Sequence, residues 1–167
     1  MDNKIIIDEV TRHDYPGWIK RVSGGEGGES YLIIGSEKTA LYDCGMAYCG
    51  SLLADNIRKE LGRLGRRNLD YIILTHSHYD HLGGLPYVHK AFPGAVIIGG
   101  EYCAHVLKRE GALKVIRELG RSAALKYGAD PEVVTTEGLE VQKVVVDGDV
   151  IDLGDRKLNA IYTPGHT

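Results

Sequence analysis

The sequence predicts an α+β fold, a mixed sheet with flanking helices, on the strength of three kinds of segment. Short β-rich runs punctuated by Gly-rich or polar turns fill the first third. An amphipathic helical pattern then leads into a nearly continuous apolar run, Leu69 to Leu74, and on into a strand-helix-strand unit. More short strand signals follow after residue 140.

The strands predicted in the first third are Lys4 to Val10, Trp18 to Val22, Ser30 to Ile34 and Thr39 to Tyr42, an antiparallel meander. The Gly-rich run from Ser23 to Gly28 lacks the order and the strand-to-helix placement of a phosphate cradle, so it reads as a flexible hairpin tip. From Ser51 to Leu64, Leu52, Leu53, Ile57, Leu61 and Leu64 recur at helical spacing with charges on the other face. Leu69 to Leu74 suits a strand buried on both sides. A helix from Gly83 to Phe92 ends at Pro93-Gly94, and Ala95 to Ile98 gives the next strand. Glu101 to Tyr127 reads as mostly helical with a break near Gly111. Val106, Leu107, Leu113, Val115, Ile116 and Leu119 form its inner face, either as a layer on the sheet or as an excursion over a substrate site. Val141 to Val146, Val150 to Leu153 and Lys157 to Tyr162 complete the strands, with Asp147-Gly148 as a hairpin turn.

Composition narrows the function class. A chain of 167 residues with 43% hydrophobic and 26% charged residues and a formal net charge of -3 is an ordinary soluble domain. No basic stripe with interleaved aromatics points to nucleic acid. Arg58, Lys59, Arg63, Arg66 and Arg67 read as a solvated helix face rather than an anion site. Cys44, Cys49 and Cys103 make neither a disulfide framework nor a C-x-x-C zinc pattern. With no signal-peptide pattern and no bilayer-length apolar run, the reading is cytoplasmic, with no membrane partner.

The chemistry is concentrated between Thr75 and Gly84. His76, His78, Asp80 and His81 fall within six residues, all of them nitrogen or carboxylate ligands suited to zinc and similar ions. If the buried strand continues to His78, His76 and His78 face the same way with Cα atoms roughly 6.5–7 Å apart and converge on one ion. Asp80 and His81 aim elsewhere, toward a second. Gly83 and Gly84 permit a tight turn, and the helix start behind them favours an ionised Asp80 and a neutral His81. His13, His89 and His105 lack neighbouring ligand residues and read as ordinary surface or core residues.

His76-Ser-His78-Tyr-Asp80-His81 resembles the H-x-H-x-D-H signature of the metallo-β-lactamase-fold hydrolase superfamily. Leu41 to Gly45 is similar to the family's early strand ending in an aspartate, and Asp147-Gly-Asp149 with Thr163 to His166 to its later strands and third metal-binding histidine. The resemblance implies an αββα sandwich of which residues 1–167 form the N-terminal portion, a single domain incomplete at its C-terminal side. It implies His76, His78 and His166 on a first metal and Asp80 and His81 on a second. Asp43 becomes a supporting residue that orients an imidazole, although a strand-end aspartate capping backbone amides reads equally well.

The implied cofactor is zinc, up to two ions per complete domain, with iron or manganese as alternatives. The implied chemistry is attack by a metal-activated hydroxide on an ester, thioester, lactone or related small substrate, with Asp80 passing a proton. Within the same fold an iron-dependent sulfur dioxygenase is the alternative. The family's bridging aspartate and last histidine follow the segment matching His166, so a truncated, catalytically silent metal-binding or oligomerising module is a further alternative. An apolar sheet face left uncovered would favour a homo-oligomer.

Overall fold

A computed structural model describes residues 15–166. The strand expected at Lys4 to Val10 lies outside them. Eight strands and five α-helices follow in order: β1 (Ile19–Arg21), β2 (Tyr31–Ile34), β3 (Thr39–Tyr42), α1 (Gly50–Arg63), β4 (Tyr71–Leu74), α2 (Tyr79–Leu82), α3 (Leu85–Ala91), β5 (Val96–Gly100), α4 (Glu101–Val106), α5 (Glu110–Lys126), β6 (Lys143–Val145), β7 (Val150–Asp152) and β8 (Lys157–Asn159).

The first six strands form one mixed sheet in the order of the sequence. β1, β2 and β3 are the antiparallel meander, with residues 22–30 connecting the first pair and the short turn 35–38 the second. From β3 to β6 every neighbouring pair is parallel, and each connection passes through helix. Parallel strands end at a common edge, so whatever follows β3, β4, β5 and β6 is delivered to one side of the sheet.

Side-chain alternation assigns the two faces. Leu32, Leu41, Ile72, Leu74 and Ile97 turn toward Leu53, Ile57 and Leu61 of α1, Leu85 and Val88 of α3, Cys103 of α4 and Ile116 of α5. Ile33, Ala40 and Ile98 turn the other way, against Ile151 and Leu153 of the β7–β8 hairpin. Each fully buried Leu or Ile contributes about 1.5–3 kcal/mol relative to exposure, and both faces thereby hold the sheet. The open apolar face expected from the sequence is thus covered in part by the chain's own hairpin. Val144, Val146, Val150, Ile161 and Tyr162 remain exposed.

Several expectations need correction. Asp147-Gly148 does not join a hairpin: β6 pairs with β5, whereas β7 pairs only with β8 in a separate two-stranded sheet. The turn is closed locally, by Val146 N donating to Asp149 Oδ2 and Asp149 N donating to the Val146 carbonyl. The break in the long helical stretch falls at 107–109, and Gly111 sits inside the first turn of α5. Leu107 and Ile116 are buried as expected, but Val115 and Leu119 are exposed, because α5 presents Ile116, Gly120, Ala123 and Ala124 inward. The break before α5 resets the helical phase that a continuous helix would have kept.

Arg66 is not a solvated charge. Its guanidinium donates to Thr39 Oγ1 and to the carbonyls of Gly35 and Ser36, fastening the β2–β3 turn. Nor is the Gly-rich run a loose tip. Tyr48 Oη donates to the Glu26 carbonyl at 2.6 Å, and Gly24 and Gly28 pack so closely on neighbouring backbone that neither has space for a Cβ.

Candidate metal centre

β4 ends at Leu74, so the expected extension of the strand to His78 does not occur. The chain instead runs irregularly through Thr75, His76 and the buried Ser77 to His78, which is extended at φ -75° and ψ 145°, and then turns into α2. The two imidazoles converge all the same. One ligand nitrogen from each of His76, His78 and His166 lies within 4.8 Å of the other two, a separation little greater than two metal–nitrogen bonds, which are each about 2.0–2.1 Å. The ring centroids stand 4.7 Å (His76 to His78), 4.8 Å (His76 to His166) and 4.9 Å (His78 to His166) apart.

The donor set fits a metal on its own evidence. His76 Nε2 is buried and has no hydrogen-bond partner, and an orphaned polar atom in a folded interior calls for an explanation. Burial, followed by the nearness of His81 and His78, pushes His76 below the ordinary histidine range, so the ring is held neutral with a lone pair to offer.

Asp80 and His81 stand beside this trio rather than in it. The His81 ring centroid is 4.2 Å from that of His76, and its Nε2 is 3.7 Å from Asp80 Oδ2, so the pair presents a nitrogen and an oxygen together. α2 is a single turn, wedged between two backbone contacts. Cys44 N donates to the His81 carbonyl at 2.6 Å and Gly45 bridges to Leu82. On the other flank Gly28 lies flat on the Asp80 carbonyl.

Asp43 joins these parts through hydrogen bonds to Thr75 and His81. It follows β3 at φ +56°, a left-handed conformation that Asp tolerates better than most residues. The side chain is almost wholly buried, with 3% of its surface exposed. Oδ1 accepts from Thr75 N at 2.9 Å, capping backbone, while Oδ2 accepts from Thr75 Oγ1 and from His81 Nδ1, both at 2.8 Å. The bond from Asp43 raises His81 above its ordinary range, partly opposed by burial.

Thr75, which stands 2.9 Å from His76 Nδ1 through Oγ1, had no assigned role in the sequence. Its only signal was a hydroxyl residue at the strand end directly before the first histidine. Of the remaining histidines, His89 lies in the last turn of α3, away from the cluster, and His13 is outside the described residues. His105 lines an open cleft of about 510 Å³ with Glu101, Lys108, Val144 and Val146. Among the described residues no helix is long and apolar enough to cross a membrane.

The sequence profile of the metallo-beta-lactamase superfamily matches residues 23–167. The chain belongs to that superfamily. Among curated members, it is 29% identical over 140 residues to a metallo-beta-lactamase fold-containing protein of Sulfurisphaera tokodaii, covering 81% of this chain and 48% of that one. It is also 29% identical over 163 residues to the acyl-coenzyme A thioesterase MBLAC2 of Homo sapiens, covering 90% of this chain and 55% of that one. In structure it is similar to BJP-1, a subclass B3 metallo-beta-lactamase of Bradyrhizobium japonicum, with a TM-score of 0.63 and 27% identity over 90% of this chain and 50% of the other. The chain thus spans about half the length of the relatives it matches. Its mixed sheet with flanking helices is the α+β arrangement of these metallo-beta-lactamase neighbours. Divalent-metal binding and hydrolysis are the superfamily-level chemistry these relatives represent.

Proposed function

We propose that the protein is a metal-dependent hydrolase of a small ester or thioester, with the thioester favoured by its likeness to an acyl-coenzyme A thioesterase. One observation carries the reading: three imidazoles within 4.8 Å, one of them with a buried, unpartnered nitrogen. His76, His78 and His166 hold one divalent ion, zinc by preference and iron or manganese as alternatives. Asp80 and His81 face a second position. When bound, the metal supplies Lewis acidity and makes water a competent nucleophile near neutral pH.

The chain's own residues supply the rest. Thr75 and Asp43 hold His76 and His81 in place. Asp80, its side chain about one-third exposed, takes a proton at Oδ2 from the attacking water. The water oxygen adds to the carbonyl carbon, the carbon–sulfur or carbon–oxygen bond breaks, and the leaving group receives the proton from Asp80.

The test is turnover of an acyl-coenzyme A and aryl-ester panel by protein stripped with chelator and then reloaded with zinc, iron or manganese. Expected are loss of activity on stripping, recovery with one metal, and loss of both metal and turnover in His78→Ala. Zinc bound without turnover of any member would leave a silent metal-binding module. Turnover indifferent to chelation and to His78→Ala would remove the metal from the mechanism.

A further inference from the structure

The bonds around Asp43 decide which nitrogen of His76 is free. Asp43 Oδ2 accepts from His81 Nδ1 and Thr75 Oγ1, and Oδ1 accepts from the Thr75 backbone amide. A hydroxyl carries one hydrogen, and that of Thr75 is committed to the carboxylate, which as an ion has none to give. Toward His76 Nδ1, 2.9 Å away, Thr75 Oγ1 therefore presents only lone pairs. Two lone pairs at that distance repel, so Nδ1 must carry the proton. In a neutral ring this leaves Nε2 bare, and Nε2 is the buried nitrogen that finds no partner in the protein.

We propose that Thr75 is a positioning residue that relays Asp43 to His76, fixing the Nδ1–H tautomer so that Nε2 faces the cluster. This deepens the metal-dependent reading and rests on it. One carboxylate then sets two ligand-type imidazoles, His81 directly and His76 through a hydroxyl. Both arms leave the distal nitrogen of the ring as the one available for ligation, which is the state that orienting partners of metal-bound histidines generally enforce. The relay also explains why the hydroxyl residue sits directly before His76: with β4 ended at Leu74, Thr75 is within reach of the end of β3, where Asp43 N donates to the Ile73 carbonyl.

The experiment compares wild-type protein, Thr75→Val and Thr75→Ser. Long-range proton–nitrogen correlation spectra of the metal-free proteins, at a pH where His76 is neutral, read its tautomer, and competition with a chelator of known affinity reads zinc binding. In wild type His76 is expected to show a protonated Nδ1 and a bare Nε2. Thr75→Val, nearly the same shape without the hydroxyl, is expected to lose that preference and bind zinc about 10–100-fold more weakly, while Thr75→Ser keeps both properties. Lower stability alone would not change a tautomer in the folded fraction, so this readout separates positioning from packing.

A wild-type His76 with its proton on Nε2, or a Thr75→Val protein with wild-type tautomer and zinc affinity, overturns the proposal. If Thr75→Val does not fold, the wild-type tautomer and the Thr75→Ser protein still decide it. Failure of wild-type protein to bind zinc, iron or manganese would instead sink the metal reading itself.

Discussion

Replacing Gly28 with Ala tests whether the Gly-rich run is a packed wall of the site. Gly28 has φ +96°, and a Cβ there would lie 1.9 Å from the Asp80 carbonyl oxygen and 3.1 Å from Gly45 Cα, whereas ordinary contact begins at 3.4 Å. The backbone under Asp80 must therefore retreat by about 1.5 Å, or Gly28 must change conformation. A left-handed conformation costs an L-residue about 1–2 kcal/mol, and overpacking about 1–3 kcal/mol. Alanine's narrower unfolded ensemble offsets about 0.4–1 kcal/mol. The net expectation is a loss of roughly 1–4.6 kcal/mol, a large part of a typical domain's 5–15 kcal/mol.

Urea unfolding followed by the fluorescence of Trp18, the single tryptophan, measures it. Gly62→Ala is the control: Gly62 lies in α1, exposed, with nothing within 4 Å of its Cβ position. That change is expected to stabilise by about 0.4–1 kcal/mol. A Gly28→Ala protein within about 0.5 kcal/mol of wild type, at an unchanged denaturant slope, would refute the reasoning.

Leu153→Ala should destabilise by about 2–5 kcal/mol, because Leu153 is fully buried between the hairpin and the sheet and its carbonyl receives both Glu37 N and Lys38 N. A loss under 1 kcal/mol in denaturant titration would mean that the hairpin does not dock in solution. The Arg21 guanidinium, with help from Ser23, holds Glu29 below its ordinary range against the effect of burial. Its contribution to stability is present above pH 4.5, Glu29's ordinary value, and is lost as pH falls through the lowered folded value. Glu29→Gln should flatten the acid limb of stability against pH, and a limb as steep as wild type would count against that ion pair.

How much was legible in the sequence depended on the range of the interaction. Thr39 to Tyr42 appears where periodicity placed it, and α1 and β4 lie within two residues of their expected bounds, because alternation and helical spacing are local properties. His76, His78, Asp80 and His81 were legible for the same reason, being packed into six residues. The partnering of strands was not local. β6 pairs with β5 across more than forty residues, so Asp147-Gly148, a good hairpin signal, joins strands belonging to different sheets. Asp43 and Thr75 are 32 residues apart, and nothing in either neighbourhood announces the hydrogen bonds between them. The dense packing of Gly24 and Gly28 was equally hidden, since a Gly-rich run reads alike whether glycine provides mobility or closeness.

His166 stands nearly ninety residues beyond His78 in the chain, and the stretch from Ile161 to His166 is exposed along its length. Tyr162 N donates to Asp147 Oδ1 and so helps to anchor it. An ion shared by His76, His78 and His166 would act there as a cross-link closing a very long loop. By the chain-entropy relation used for disulfides, a loop of that size corresponds to on the order of 4–5 kcal/mol at 25 °C. Loading the site would thus hold an exposed, irregular segment in place as well as equip it for chemistry, and protection of residues 161–166 from proteolysis would rise with metal occupancy.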